Sequence, residues 1–181
     1  MKGMVFNEFF ELVDTAFGPN TTEDIIADAN LPHAGAYTTV GRYDASEMVR
    51  LVKALSARTQ TPVPDLLQTF GRHLLDSFKS GHAQYFHSCR SVFDFVSSIE
   101  AQIHIDVLKL YPDAELPSLR AEAAGTDKMT LLYRSSRRMA DLAEGLLWGA
   151  IDHYGDPVEL ERTDLPDEGS DQCTRFTLTR R

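Results

Sequence analysis

The sequence predicts an α+β domain, an N-terminal helical part followed by a small antiparallel sheet with one inserted helix. Two observations predict it. Apolar residues recur at helical spacing through the first two-thirds of the chain, and from Lys128 onward the period switches to strand-like alternation. The length of 181 residues fits a single domain, read as 1–181. A domain of that size buries a core without disulfides and has room for a cavity.

Each element has its own signal. Residues 2–17 place Val5, Phe6, Phe9, Phe10, Leu12, Val13 and Phe17 on a broad helical stripe that stops at Gly18-Pro19. Asn20-Thr21-Thr22-Glu23 offers caps for a short helix through about Ala29, and a loop with Pro32, Gly35 and Gly41 follows. Asp44 or Ser46 can cap the next helix, which carries Met48, Val49, Val52 and Leu55. Pro62 and Pro64 open another, with Leu66, Leu67, Phe70, Leu74, Leu75 and Phe78, and Gly81 ends it. The longest helix is expected over 91–110, on the stripe Val92, Phe93, Val96, Ile99, Ile103, Val107 and Leu110, with Pro112 as its stop. Strands are expected near 118–124 and over 128–137, then a helix over about 138–153, and a turn at Gly155-Asp156-Pro157. Two closing strands, 158–163 and 173–179, are joined by an acidic turn over 164–171.

Composition excludes several classes. With 43% hydrophobic and 25% charged residues, the chain is too apolar to be disordered. Eighteen bases against 27 acids leave a charge of −9, the wrong sign for nucleic acid. The one basic cluster, Arg134, Arg137 and Arg138, is too small for a duplex track. No apolar run approaches a membrane span, and the start reaches Glu8 before a signal-peptide core could form, so a cytoplasmic protein is expected. Cys89 and Cys173 stand far apart with no CxxC, which fits a reducing compartment and two buried small hydrophobes.

Two groups of residues carry chemistry. On a strand, Tyr133, Ser135 and Arg137 project together, two hydroxyls and a guanidinium. Such a row suits an anion with several oxygens, and it equally describes a solvated strand face ending at a helix N-terminus. His104 sits in the long helix with Ala101, Val107 and Leu108 within a turn, and Phe93, Ser97 and Glu100 on roughly the same side. A histidine so placed is either a satisfied boundary residue or an axial metal ligand, imidazole being a common protein ligand of haem iron.

Together these residues resemble the haem nitric oxide/oxygen-binding (H-NOX) family, which includes the sensor domain of soluble guanylate cyclase. The resemblance spans essentially the whole chain: Met1-Lys2-Gly3, Phe70-Gly71-Arg72, the His104 helix, Leu116-Pro117, Tyr133-x-Ser135-x-Arg137, Glu144-Gly145-Leu146-Leu147 and the closing strands. Its specific part is Y-x-S-x-R downstream of the histidine. The resemblance implies haem b held between the helical and sheet parts, with His104 as axial ligand to the iron. It implies that Tyr133, Ser135 and Arg137 hold the propionates and that Pro117 presses on the porphyrin and distorts it.

The resemblance also speaks to the gas. Oxygen-binding members place a tyrosine on the helix after Y-x-S-x-R, where its hydroxyl stabilises the partly superoxide-like O2. The matching position here is Leu142, and Val5, Phe9, Leu74 and Phe78 match the rest of the distal wall. That implies a ferrous haem that binds NO and CO and holds no stable O2. His73, beside Leu74, would supply a donor or sixth ligand if its helix were rotated, and is expected to face away. The resemblance further implies a switch in which NO breaks the iron–His104 bond and alters a partner. In stand-alone bacterial members the partner is a sensor histidine kinase or a cyclic di-GMP synthase or phosphodiesterase.

Other readings compete. A haem oxidoreductase needs distal acid–base or charged groups, and the apolar wall offers none, so no catalytic residue is expected. A haem-free small-molecule-binding domain of vinyl-reductase-like type resembles 159–178, but leaves His104 and Y-x-S-x-R without a role. His82, His87 and Cys89 match no strong zinc pattern and are expected on a surface loop. Some relatives bind zinc through extra cysteines near the sheet; here Cys173 stands there with Met139 and Glu161, so a structural zinc is not expected.

Overall fold

The computed structural model describes residues 1–123 and 125–181. Four helices open the chain: α1 (Gly3–Phe17), α2 (Pro19–Ala29), α3 (Ala45–Thr59) and α4 (Val63–Gly81). Their ends follow local chemistry. Pro19 starts α2, where its missing N–H costs nothing. The Asp44 carboxylate caps α3 by accepting the Ser46 N–H at 2.8 Å. Asn30 and Gln60 end α2 and α3 in left-handed conformations. Beyond Gly81 the expected loop is instead a short helix, α5 (Ala83–His87).

The helix expected over 91–110 is continuous but not uniform. It consists of α6 (Val92–Ser98), a π-helical turn (Ile99–Ile103) and α7 (His104–Leu110). A π turn inserts one residue, which rotates everything after it by about 100° relative to an unbroken α-helix. His104 is the first residue past that insertion.

The sheet comprises β1 (Ser118–Ala123), β2 (Lys128–Ser135), β3 (Val158–Glu168) and β4 (Asp171–Arg180), with α8 (Ala140–Tyr154) between β2 and β3. The order is β1-β2-β4-β3, antiparallel throughout. The strand expected near 118–124 is β1; position 124 lies outside the described residues. β2 stops two residues short of the expected 137. The Arg137 N–H turns back to Ser135 Oγ at 3.2 Å and the Arg138 N–H to the Ser135 carbonyl at 3.3 Å, with Arg138 at φ 55°. β3 and β4 run well past their expected ends, so the acidic turn over 164–171 shrinks to Gly169-Ser170. Pro166 is tolerated because β3 is an edge strand and the register shifts between Leu165 and Glu168.

Two apolar cores result. The helical core holds Phe6, Phe9, Val13, Ile25, Met48, Leu51, Leu55, Phe70 and Leu74. The sheet core holds Val92, Phe95, Val96, Leu131, Tyr133, Leu147, Phe176 and Leu178. Phe78 and Leu146 pack against both. The α4–α8 seam between them is tight because both helices carry glycine where they touch. A Cβ on Gly71 would stand 2.6 Å from the Leu146 nitrogen, and one on Gly145 would stand 2.7 Å from Gln68 Cα.

Candidate haem site

The π turn and α7 place His104 with its side chain 15% exposed. Its Nδ1 lies 3.1 Å from Glu100 Oε2, and the same oxygen accepts the Leu119 N–H at 3.1 Å. A carboxylate on Nδ1 keeps the proton there and leaves Nε2 as the free ligand atom. Burial holds the imidazole's pKa below its ordinary value, against the pull of Glu100, so it is neutral near pH 7 and competent as a ligand. Leu119 pairs with Tyr133 in the β1–β2 register. Glu100 therefore ties the histidine to the strand beside Tyr133. The Glu100–His104 spacing of four was visible in the sequence; that the carboxylate also meets β1 was not. Pro117, half-buried, directly precedes β1.

The inner face of β2 carries Met129, Leu131, Tyr133 and Ser135, all buried. The Tyr133 hydroxyl accepts the Met139 N–H at 3.3 Å, and burial raises its pKa, so it keeps its proton to donate. Arg137 does not share this face. It sits in the turn after β2, yet the tight turn holds it beside Ser135, and the two line a cleft of about 370 Å³ with Glu115, Leu116 and Ser118. Arg137 also borders a neighbouring cleft with Met1 and Arg42. Its guanidinium is half-buried and makes no ion pair among the described residues, and burial pulls its pKa down. Its neighbours differ: Arg134 is paired with Glu168 and Asp171, Arg138 with Asp167, and Arg42 with Glu115.

The five expected distal residues come together from three helices. Phe9 of α1, Leu74 of α4 and Leu142 of α8 are buried in the helical core, and Val5 and Phe78 pack against it. All five are hydrocarbon. Phe9 meets Phe70 edge-on with ring centroids 5.2 Å apart. His73 directs its Nε2 toward Glu8 of α1, 3.4 Å away. His82, His87 and Cys89 form no metal-sized cluster among the described residues, and the Cys89 thiol donates to the Tyr85 carbonyl. Cys173 is buried and Cys89 half-buried, both free.

The family model described as haem-NO-binding matches residues 2–162. The chain belongs to the H-NOX family. This is a family of haem-binding gas-sensor domains rather than catalysts. The Fe(II) unliganded H-NOX protein from K. algicida is 32% identical and superposes with a TM-score of 0.91, covering 100% of this chain and 97% of that one. The Shewanella woodyi H-NOX, solved with IWP-051 in the Fe(II)CO state, is 35% identical with a TM-score of 0.82 over 100% and 95%. The S. oneidensis H-NOX in the Fe(II)NO state is 26% identical with a TM-score of 0.84 over 100% of both chains. Soluble guanylate cyclase 89Db of Drosophila melanogaster is 27% identical over 139 residues, which are 76% of this chain and 20% of that protein. The chain thus spans about a fifth of the cyclase's length.

The side chains of this H-NOX domain suit the family's cofactor. A half-buried guanidinium that makes no ion pair among the described residues, next to two buried hydroxyls, is a donor set for a multi-oxygen anion. A neutral imidazole with Nε2 free is one for a transition metal. Haem joins both requirements, an iron and two carboxylates, in one group. Among the described residues, no helix is long and apolar enough to cross a membrane.

Proposed function

We propose that residues 1–181 form one ferrous-haem sensor of NO that also binds CO and holds no stable O2. His104 is the axial ligand, Tyr133, Ser135 and Arg137 hold the propionates, and Pro117 presses on the macrocycle. The observation that carries this is Arg137, a half-buried guanidinium with no ion pair among the described residues, set beside two buried hydroxyls. Bound haem b supplies the ferrous iron that takes the gas. The NO and CO states of the S. oneidensis and S. woodyi relatives support that choice of ligands.

The chain's own residues do the rest. Val5, Phe9, Leu74, Phe78 and Leu142 keep water out and offer a bound gas no proton. O2 depends on such a donor far more than NO or CO does, since it draws more charge from iron. Glu100 holds His104 by Nδ1 and β1 by the Leu119 N–H. Were gas binding to release the His104 imidazole, the π turn and α7 would be free to relax, and Glu100 would carry the change to the sheet through the Leu119 N–H. The helical part would then shift relative to the sheet part and alter a surface. The reader of that surface is a cytoplasmic signalling partner, a sensor histidine kinase or a cyclic di-GMP synthase or phosphodiesterase.

Absorption spectra of the reduced protein test this. NO and CO should each shift the Soret band, while air should oxidise the protein with no lasting gas adduct. A lasting adduct in air overturns the distal assignment, and a protein with no Soret band even after haem is added overturns the whole reading. His104→Gly should act on the partner as NO does; if it acts like the unliganded protein, the trigger lies elsewhere.

A further inference from the structure

The α1–α4 contact holds three metal-ligating side chains that the haem site does not use. We propose that Glu8, Glu11 and His73 bind a divalent transition-metal cation of the zinc class. One donor atom from each lies within 4.8 Å of the other two. Glu8 and Glu11 are three apart on α1 and so share a face, and His73 comes across from α4.

The histidine is the informative member. Its Nε2 is buried and has no hydrogen-bond partner, alone in this among the described side chains. A buried polar atom left unsatisfied is costly, which calls for a partner at this position. Glu8 Oε2 stands 3.4 Å from that nitrogen, at the far limit of hydrogen-bond distance. The separation suits a bridging ion, because two ligands of a tetrahedral cation with bonds of about 2.0–2.1 Å lie roughly 3.4 Å apart. Glu11 is exposed, so its side chain can turn to complete three protein ligands and leave the fourth position to water. Among the described residues neither glutamate is paired with a Lys or Arg that would compete. An imidazole with two carboxylates favours zinc-class ions over calcium or magnesium, which take oxygen ligands.

Occupancy would clamp α1 to α4. Those helices carry Val5, Phe9, Leu74 and Phe78, so the ion would stiffen the wall proposed for gas binding. The site itself does not depend on the haem reading.

Calorimetric titration of Zn2+ into the haem-loaded chain of residues 1–181, freed of loosely bound metal by a chelator, tests it. The expected result is a saturable isotherm with one ion per chain. His73→Gln and Glu8→Gln should each weaken the affinity by about tenfold or more, the least that losing a bond to a charged group should cost. His82→Gln, on a histidine outside the cluster, should change nothing. Unaltered melting of the metal-free variants shows that the loss is not unfolding. Absence of a saturable isotherm overturns the proposal, as does binding that survives His73→Gln.

Discussion

Gly145→Ala tests the α4–α8 seam on which the proposed distal wall is built. The added Cβ would stand 2.7 Å from Gln68 Cα and closer still to the Gln68 carbonyl oxygen. An ordinary contact is at least 3.4 Å, so clearing the Cα alone parts α4 and α8 by about 0.7 Å, and clearing the nearer carbonyl oxygen takes more. The obstacle is backbone, which cannot swing aside as a side chain can. Overpacking of that kind costs about 3 kcal/mol, the upper end for one methylene. Alanine returns about 1 kcal/mol through its better helix propensity. The net loss is about 2 kcal/mol, which for a domain this size lowers the melting temperature by roughly 4–8 °C. Gly149→Ala is the control. There the nearest atoms are the Leu75 Cδ2 methyl at 3.0 Å and its Cβ at 3.3 Å, with no backbone nearer than 3.4 Å, so a shift of a few tenths of an ångström suffices and stability should stay near level. Thermal melting of both variants by circular dichroism, in the same haem state, reads the difference. A Gly145→Ala protein that melts at or above the wild type refutes the close-packed seam, because helix propensity would then have won.

Three further outcomes are expected. Arg137→Gln should weaken haem retention by about 10- to 100-fold, the worth of one or two charge-assisted hydrogen bonds; a haem-transfer assay reads it, and an equal loss in Arg134→Gln would point to general charge instead. Glu100→Ala should release the His104 Nδ1 proton from its fixed tautomer and shift the iron–histidine stretching band, while Glu100→Gln, which still accepts through its amide oxygen, should shift it less; an unmoved band in the alanine variant would mean that the carboxylate does not act on the ligand. Arg162 joins Asp141 and Glu144 of α8 to Asp164 of β3, and its hydrogen bond holds the Asp164 carboxyl below the usual carboxylate range. That stability is present above the ordinary value near about 4 and is lost as pH falls through the lowered one. Arg162→Met should therefore cost about 1 kcal/mol at neutral pH, solvent screening at the exposed Asp164 keeping it small, with a gap to the wild type that narrows below about pH 4; a gap that widens in acid would contradict this assignment.

Much of the candidate site was legible because its donors announce themselves by type. His104 in an apolar helix and Y-x-S-x-R downstream of it suggested a metal ligand and an anion grip. The five hydrocarbon positions Val5, Phe9, Leu74, Phe78 and Leu142 do gather in one core. Arg137 was placed on the wrong element, since strand alternation cannot register the turn that Ser135 Oγ makes with its own neighbour's N–H. Glu100 was only a neighbour of His104 until β1 supplied the Leu119 N–H that it also holds.

By itself the sequence determined what depends on neighbours along the chain. Caps such as Asp44, stops such as Gly18-Pro19, and the switch of period after Lys128 all act within a few residues, so local pattern was enough. Tertiary structure decided whatever needed two distant segments. Residues 164–168 became strand because β4 lies alongside to pair with Asp164, Leu165 and Glu168 across a bulge, overriding their turn-like composition. The π turn ahead of His104 is invisible to a 3.6-residue period, which one inserted residue merely shifts. Gly71 and Gly145 stood in the sequence only as parts of the family-like stretches Phe70-Gly71-Arg72 and Glu144-Gly145-Leu146-Leu147, and only the packing of α4 on α8 shows why neither position has room for a side chain.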